Sequence, residues 1–110
     1  MAVKTFYIKK NDELPVLEVR VKVDGVAYDL SAASAKTFTM MASDGTVKVN
    51  AQAAAWETDG SDGIVTYAWS SGDTDTVGTY DGEFKFTIGG NTLTVPNREH
   101  LTIQVVEELV

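Results

Sequence analysis

The sequence predicts an all-β domain built as an antiparallel two-sheet sandwich. Three observations predict it. Short apolar segments alternate with polar residues at period two, which places one face in a core and one in water. Turn signals, chiefly Asp-Gly and Gly-Gly, recur between those segments. No segment carries the 3.6-residue apolar period of a long helix. The chain has 110 residues, so one domain spanning 1–110 is expected. A domain of this size buries roughly 65% of the surface its unfolded chain exposes, enough for a core without staples.

The first strand is expected over Val3–Lys9, followed by a polar break at Lys9-Lys10-Asn11-Asp12-Glu13. Pro15–Val23 alternates cleanly. Leu17, Val19, Val21 and Val23 should face the core, and Glu18, Arg20 and Lys22 the solvent. Asp24-Gly25 predicts a hairpin into Val26–Asp29, with Tyr28 on the apolar side. Leu30–Ala35 is small and polar and reads as a short helical turn. Lys36–Met41 is a strand with Phe38 and Met40 inward. Asp44-Gly45 turns it into Thr46–Asn50, with Val47 and Val49 inward. Ala51–Ala55 has helix-friendly composition but is too short for a stable helix, and reads as strand or irregular.

Asp59-Gly60-Ser61-Asp62-Gly63 is a turn cluster. The strand Gly63–Ser70 follows, with Val65, Tyr67 and Trp69 on one face, so Trp69 is expected in the core. Ser71–Val77 is a loop. Gly82–Ile88 puts Phe84, Phe86 and Ile88 opposite Glu83, Lys85 and Thr87. Gly89-Gly90-Asn91 turns into Thr92–Val95, Pro96-Asn97 breaks the chain, and Leu101, Ile103 and Val105 alternate in a last strand. The total is about seven to nine short strands, the pattern of a sandwich. Its edge strands must be managed or used.

Composition narrows the function classes. There is no cysteine, which excludes disulfides and Cys-based zinc sites. Sixteen acidic residues against nine basic ones give a net charge of -7. That field repels phosphate backbones and anionic lipid surfaces, so neither nucleic acid nor membrane is an expected partner. The N-terminus has no apolar stretch of secretory type, and no segment reaches the length of a membrane span. Synthesis and folding in a cytoplasm are expected.

Chemistry is sparse. The single histidine, His100, stands before the last strand with no nucleophile or orienting partner, and reads as a turn residue. No Gly-x-Ser-x-Gly elbow and no Gly-rich phosphate loop occur. The acids, Glu18, Glu57 and Glu83 among them, show no spacing that selects a catalytic pair. Asp59, Asp62, Asp73, Asp75 and Asp81 fall in expected loops. A calcium loop needs six or more oxygens, and Asp73-Thr74-Asp75 falls short of one. Turn chemistry, in which Asp binds neighbouring backbone, is the better reading. No catalytic residue, metal or cofactor is expected. Trp56 follows an alanine run and precedes polar turn residues. It is the candidate for a protein interface, or with the loop aromatics for a sugar platform.

Gly78-Thr79-Tyr80, just before the Gly82–Ile88 strand, resembles the tyrosine corner of immunoglobulin-like sandwiches, in which the Tyr80 hydroxyl would tie a Greek-key crossover to backbone. A longer series extends the likeness. Asn11-Asp12-x-Leu14-Pro15 precedes the alternating strand, and Asp24-Gly25 leads to Tyr28-Asp29-Leu30-Ser31. Phe38-x-Met40 leads to Asp44-Gly45-Thr46-Val47-Lys48-Val49. Then follow Gly63-x-Val65-x-Tyr67-x-Trp69, Gly72-Asp73-Thr74-Asp75-Thr76-x-Gly78-Thr79-Tyr80, Glu83-Phe84 and Thr94-x-Pro96-Asn97. Taken in order, from Phe6 to Val105, these resemble the immunoglobulin-like domain at the amino end of phage baseplate upper proteins and of related small tailed-phage virion proteins.

The resemblance implies an immunoglobulin-like antiparallel sandwich with Greek-key connections. It implies a non-enzymatic structural role in a virion, with capsid, tail or baseplate proteins as partners and self-association as an option. It carries over no catalytic residue. Baseplate upper proteins continue past this domain, whereas this sequence stops at Val110, so an accessory or decoration component is expected rather than a full baseplate arm. The terminal segments, Met1–Thr5 and Glu107–Val110, are candidate docking arms. The alternative is a carbohydrate-binding or host-adhesion module of a phage tail.

Overall fold

The computed structural model describes residues 4–95, 101–107 and 109. Every element among them is a strand: β1 (Lys4–Lys9), β2 (Leu17–Arg20), β3 (Lys22–Val23), β4 (Val26–Ala27), β5 (Ala33–Ala42), β6 (Val47–Ala53), β7 (Ala55–Trp56), β8 (Ile64–Tyr67), β9 (Gly78–Ile88), β10 (Asn91–Val95) and β11 (Leu101–Val106). The larger sheet runs β1-β11-β9-β5-β6, with β10 also on β9. The smaller sheet runs β2-β8-β7, and β3-β4 stands apart as a two-stranded hairpin.

β9 is the spine. Of its eleven residues, those from Tyr80 to Ile88 pair with β5 along one edge. On the other edge β11 takes the first half and β10 the second. Tyr80, Phe84 and Phe86 point inward from it, while Asp81 and Lys85 face water. The inner faces of the two sheets meet through aromatic rings. Phe38, fully buried on β5, lies 4.7 Å from Tyr67 of β8, 5.0 Å from Phe84, and edge-on to Trp69 at 5.9 Å. Leu17, Val19, Val65, Met40, Val49, Ile103 and Val105 complete the seam. Offset and edge-to-face pairs of this kind add about 0.5–1.5 kcal/mol each beyond their buried area.

Several expectations are corrected. The segment 15–23 is not one strand. At Val21 the chain leaves β8: the Val21 N–H donates to the Gly63 carbonyl at 2.8 Å, and its carbonyl accepts the Tyr28 N–H at 2.9 Å. Val21 stays buried, but Val23 beyond it projects on the hairpin and is exposed rather than inward, as is Tyr28. Leu30–Ala35 forms no helical turn. The Asp29 carboxylate accepts the Ser31 N–H at 2.9 Å, Leu30 is fully buried, and β5 already begins at Ala33.

Val47, expected inward, is exposed. Met40 pairs with Val49 and Met41 with Val47, so Lys48 is an extra residue, and one extra residue flips the parity of everything beyond it. A second irregularity puts Asn50 and Ala51 opposite Thr39, with Ala51 at φ 50° and its N–H on the Thr39 hydroxyl. The run 51–55 is strand apart from Ala54, where the chain passes from the larger sheet to the smaller. The Ala54 N–H donates to the Lys36 carbonyl at 3.1 Å. β8 ends at Tyr67 rather than Ser70, and β9 begins at Gly78, so the 78–80 segment opens a strand instead of preceding one. The sheets are not wholly antiparallel: β1 runs parallel to β11, from Lys4 beside Leu101 to Lys9 beside Val106. Val3, Pro96, Asn97, His100 and Val110 lie outside the described residues, and so does part of each proposed arm.

Candidate functional site

The densest polar organisation lies where the 70–77 loop meets the 11–16 loop, around the three residues Tyr67, Trp69 and Tyr80. Each buries an aromatic ring and must place one polar atom. The Tyr67 hydroxyl donates to the Asp73 carboxylate at 2.6 Å. The same Asp73 oxygen accepts the Ser70 N–H at 2.9 Å, and the Asp73 N–H returns to the Ser70 carbonyl at 3.0 Å. Burial, and then the Asp73 carboxylate, push the Tyr67 phenol far above its ordinary range, so it remains a donor.

Trp69 is 4% exposed, and its indole N–H donates to the Pro15 carbonyl at 3.1 Å. Thr74 is fully enclosed for a polar side chain, at 2% exposure. Its hydroxyl donates to the Asp12 carbonyl at 2.8 Å, and its carbonyl accepts the Asn11 N–H at 2.9 Å. Asn11 holds φ 70°, a left-handed conformation that Asn tolerates best among residues with a side chain.

The Tyr80 hydroxyl donates to the Thr76 carbonyl, four residues upstream, at 2.7 Å. Burial raises the Tyr80 phenol. Beside it the Lys48 ammonium, half-buried by the extra residue in β6, forms an ion pair with Asp75. Asp75 also accepts the Thr76 hydroxyl at 2.9 Å. Lys48, and after it Thr76, hold the Asp75 carboxyl below its usual range. The 70–77 loop is thus tied to four segments: to β6, to β8, to β9, and to the segment leaving β1.

Three further loop aspartates, Asp44, Asp59 and Asp62, serve their own turns. The Asp59 carboxylate takes the Ser61 N–H and hydroxyl, at 2.9 and 2.6 Å. Asp62 takes the Ile64 N–H and the Thr58 hydroxyl. Asp44 takes the Thr46 N–H. Among the described residues no three His, Cys, Asp or Glu side chains gather as metal ligands.

Trp56 lies apart from this cluster, at the end of β7, an outer strand of the smaller sheet. It is half-buried, stacked on Phe86 at 5.8 Å and 11°, with the Lys36 ammonium 4.8 Å from its ring centre. A Cβ on Gly60 would stand 2.8 Å from the indole, so Gly60 packs directly on the ring. Trp56 is therefore engaged by Lys36, Phe86 and Gly60 rather than standing clear.

Exposed apolar side chains lie elsewhere: Tyr7 on β1, Leu14, Val26 on the hairpin, and Val77. β1 and β6 are the outermost strands of the larger sheet. Near β7, Glu57 is held above its usual range by the hydrogen bond its protonated form donates to Glu18, and then by that residue's charge.

The sequence missed Thr74 and the Lys48–Asp75 pair. Thr74 gives no local signal, because its enclosure depends on a loop 62 positions away. Lys48 reaches Asp75 only through the β6 irregularity. No protein-family model matches the chain, and no curated protein matches it.

Proposed function

We propose that the chain is a non-enzymatic structural protein of a tailed-phage virion, docking on capsid or tail proteins as an accessory or decoration component. In this reading it is an immunoglobulin-like sandwich with Greek-key connections, made in the bacterial host cytoplasm and carried in the particle. The observation that carries the reading is the bond from the Tyr80 hydroxyl to the Thr76 carbonyl. It stands in the Tyr67–Tyr80 stretch, where the likeness to phage virion domains is most specific. The strand order supports the same reading: a sheet β1-β11-β9-β5-β6 with a parallel first pair, facing β2-β8-β7.

The docking role is supported by how the polar groups are used. Asp73, Asp75, Tyr67, Tyr80 and Trp69 are all committed to holding loops. What remains for a partner is outer surface: the free edges of β1 and β6, and exposed Tyr7, Leu14 and Val26. Edge strands accept a partner by strand addition. The adhesion alternative requires an aromatic platform, and Trp56, its best candidate, is packed against Lys36, Phe86 and Gly60.

Mass spectrometry of washed, gradient-purified particles from a host infected with the encoding phage tests the proposal. The chain is expected as a stoichiometric band that survives high-salt washing. Its presence in the lysate but not in particles would remove the reading. Binding on a glycan array would favour adhesion instead.

A further inference from the structure

We propose that Asp24–Gly25 is a site of spontaneous covalent modification, at which the hairpin tip converts to isoaspartate. The reaction needs no co-reactant beyond water. The Gly25 amide nitrogen attacks Cγ of the Asp24 carboxyl. The carboxyl reacts in its protonated form: a C–N bond forms, the C–OH bond breaks, and the hydroxyl leaves with the amide proton as water. The five-membered imide then takes up one water. Opening at the α-carbonyl leaves the backbone running through the side chain, with no net change in mass. The step is fastest when the following residue has no Cβ, and it needs a carboxyl that is free to turn and a backbone that can move.

The sequence contains five Asp-Gly pairs, at Asp24, Asp44, Asp59, Asp62 and Asp81. The fold treats them differently. Asp81 and Gly82 lie within β9, paired on both sides by β5 and β11. Asp44, Asp59 and Asp62 each have a carboxylate fixed by a backbone N–H two residues on. Gly60 is packed against the Trp56 ring. Gly63 is walled by backbone: a Cβ there would stand 2.7 Å from the Val21 carbonyl oxygen and 2.8 Å from that of Tyr28.

Asp24 has none of these restraints. Its carboxylate has no hydrogen-bond partner among the described residues, both tip residues are exposed, and nothing stands within 4 Å of where a Gly25 Cβ would be. Asp24 and Gly25 have φ 54° and 79°, both left-handed, as the centre of a two-residue hairpin turn requires. The strands beneath hold only two residue pairs, Lys22 with Ala27 and Val23 with Val26, and belong to neither large sheet. A two-stranded hairpin is marginal alone, so this tip opens without disturbing the core.

The test is peptide mapping with electron-transfer fragmentation, which separates aspartate from isoaspartate at equal mass, on folded protein aged in neutral buffer. Isoaspartate is expected first at position 24, several times faster than at the other four pairs. In protein unfolded by urea the five rates should converge. Asp24→Glu replaces the five-membered ring with a slower six-membered one, and should abolish the early phase while leaving the fold intact. Isoaspartate appearing first at 44, 59, 62 or 81 would overturn the proposal. So would a folded-state ranking that merely repeats the unfolded one.

Discussion

Removing the Tyr80 hydroxyl asks whether the bond at the head of β9 holds the 70–77 loop. Tyr80→Phe leaves the ring in place and deletes one donor. The lost bond is short and aimed at a backbone carbonyl, 2.7 Å away. A neutral hydrogen bond of this kind contributes about 0.5–1.5 kcal/mol net, and a fully buried orphaned acceptor costs about 1–3 kcal/mol. Thr76 itself is exposed, so water can reach its carbonyl after the substitution. The lower part of the range therefore applies, about 1–1.5 kcal/mol. For a domain of this length that lowers Tm by about 4–6 °C. Thermal and urea unfolding followed by circular dichroism measure it, with an unchanged urea m-value. Tyr7→Phe, at a residue 66% exposed, is the control and should move stability by no more than about 0.5 kcal/mol. If Tyr80→Phe melts with the parent, the hydroxyl exchanges the carbonyl for water at no cost, and the loop is held by its other contacts.

Four further outcomes follow from the same geometry. Trp69→Ala removes an indole packed against Phe38, Tyr67 and Phe6 and should cost about 3–5 kcal/mol in urea unfolding. Gly63→Ala drives a Cβ into two backbone carbonyls at φ 76°, and should cost more than about 1 kcal/mol by the same assay. Ala51→Gly relieves a left-handed alanine, and should raise stability by about 0.5 kcal/mol after the added freedom of the unfolded chain is counted. The pH profile has a defined sign. Asp29, Asp44, Asp59 and Asp75 have lowered folded pKa values, so their stabilisation is present above the usual carboxylate range and lost as pH falls through their folded values. Glu57, raised by Glu18, works the other way: its contribution is present in acid and lost as pH rises through its folded value. Glu57→Gln should therefore raise Tm at neutral pH and leave it unchanged where both carboxyls are protonated.

The sequence made the strands and their inner faces legible where alternation met a sheet on both sides. Leu17, Val19, Phe38, Met40, Val65, Tyr67, Phe84, Phe86, Ile103 and Val105 are all buried. It failed where an element changes partner or gains a residue. Val23 keeps the parity of Val21, but the chain has by then left β8, so the same period points it into water. Val47 is misplaced by the single extra residue Lys48, whose insertion no composition signal marks. The parallel β1–β11 pair was beyond reach because alternation fixes which face a residue shows, not which strand lies beside it.

Around the loop cluster, the aspartates in turns were readable because Asx chemistry is local, two residues at a time. The contacts of Thr74 with Asp12, and of Trp69 with Pro15, join segments more than fifty positions apart and exist only once the sheets are assembled. Trp56 shows the same dependence. Its neighbours in sequence suggest a partly exposed ring, which it is, but the Phe86 and Lys36 that pack against it arrive from the other sheet.

The most direct trial of the account is reconstitution. On the proposed virion role, phage particles made without the chain would be mixed with the purified chain and sedimented. A structural component whose working surface is its outer face should bind the deficient particles saturably, at a fixed copy number, and leave complete particles untouched. Failure to co-sediment with deficient particles, while the chain remains folded by circular dichroism, would contradict it.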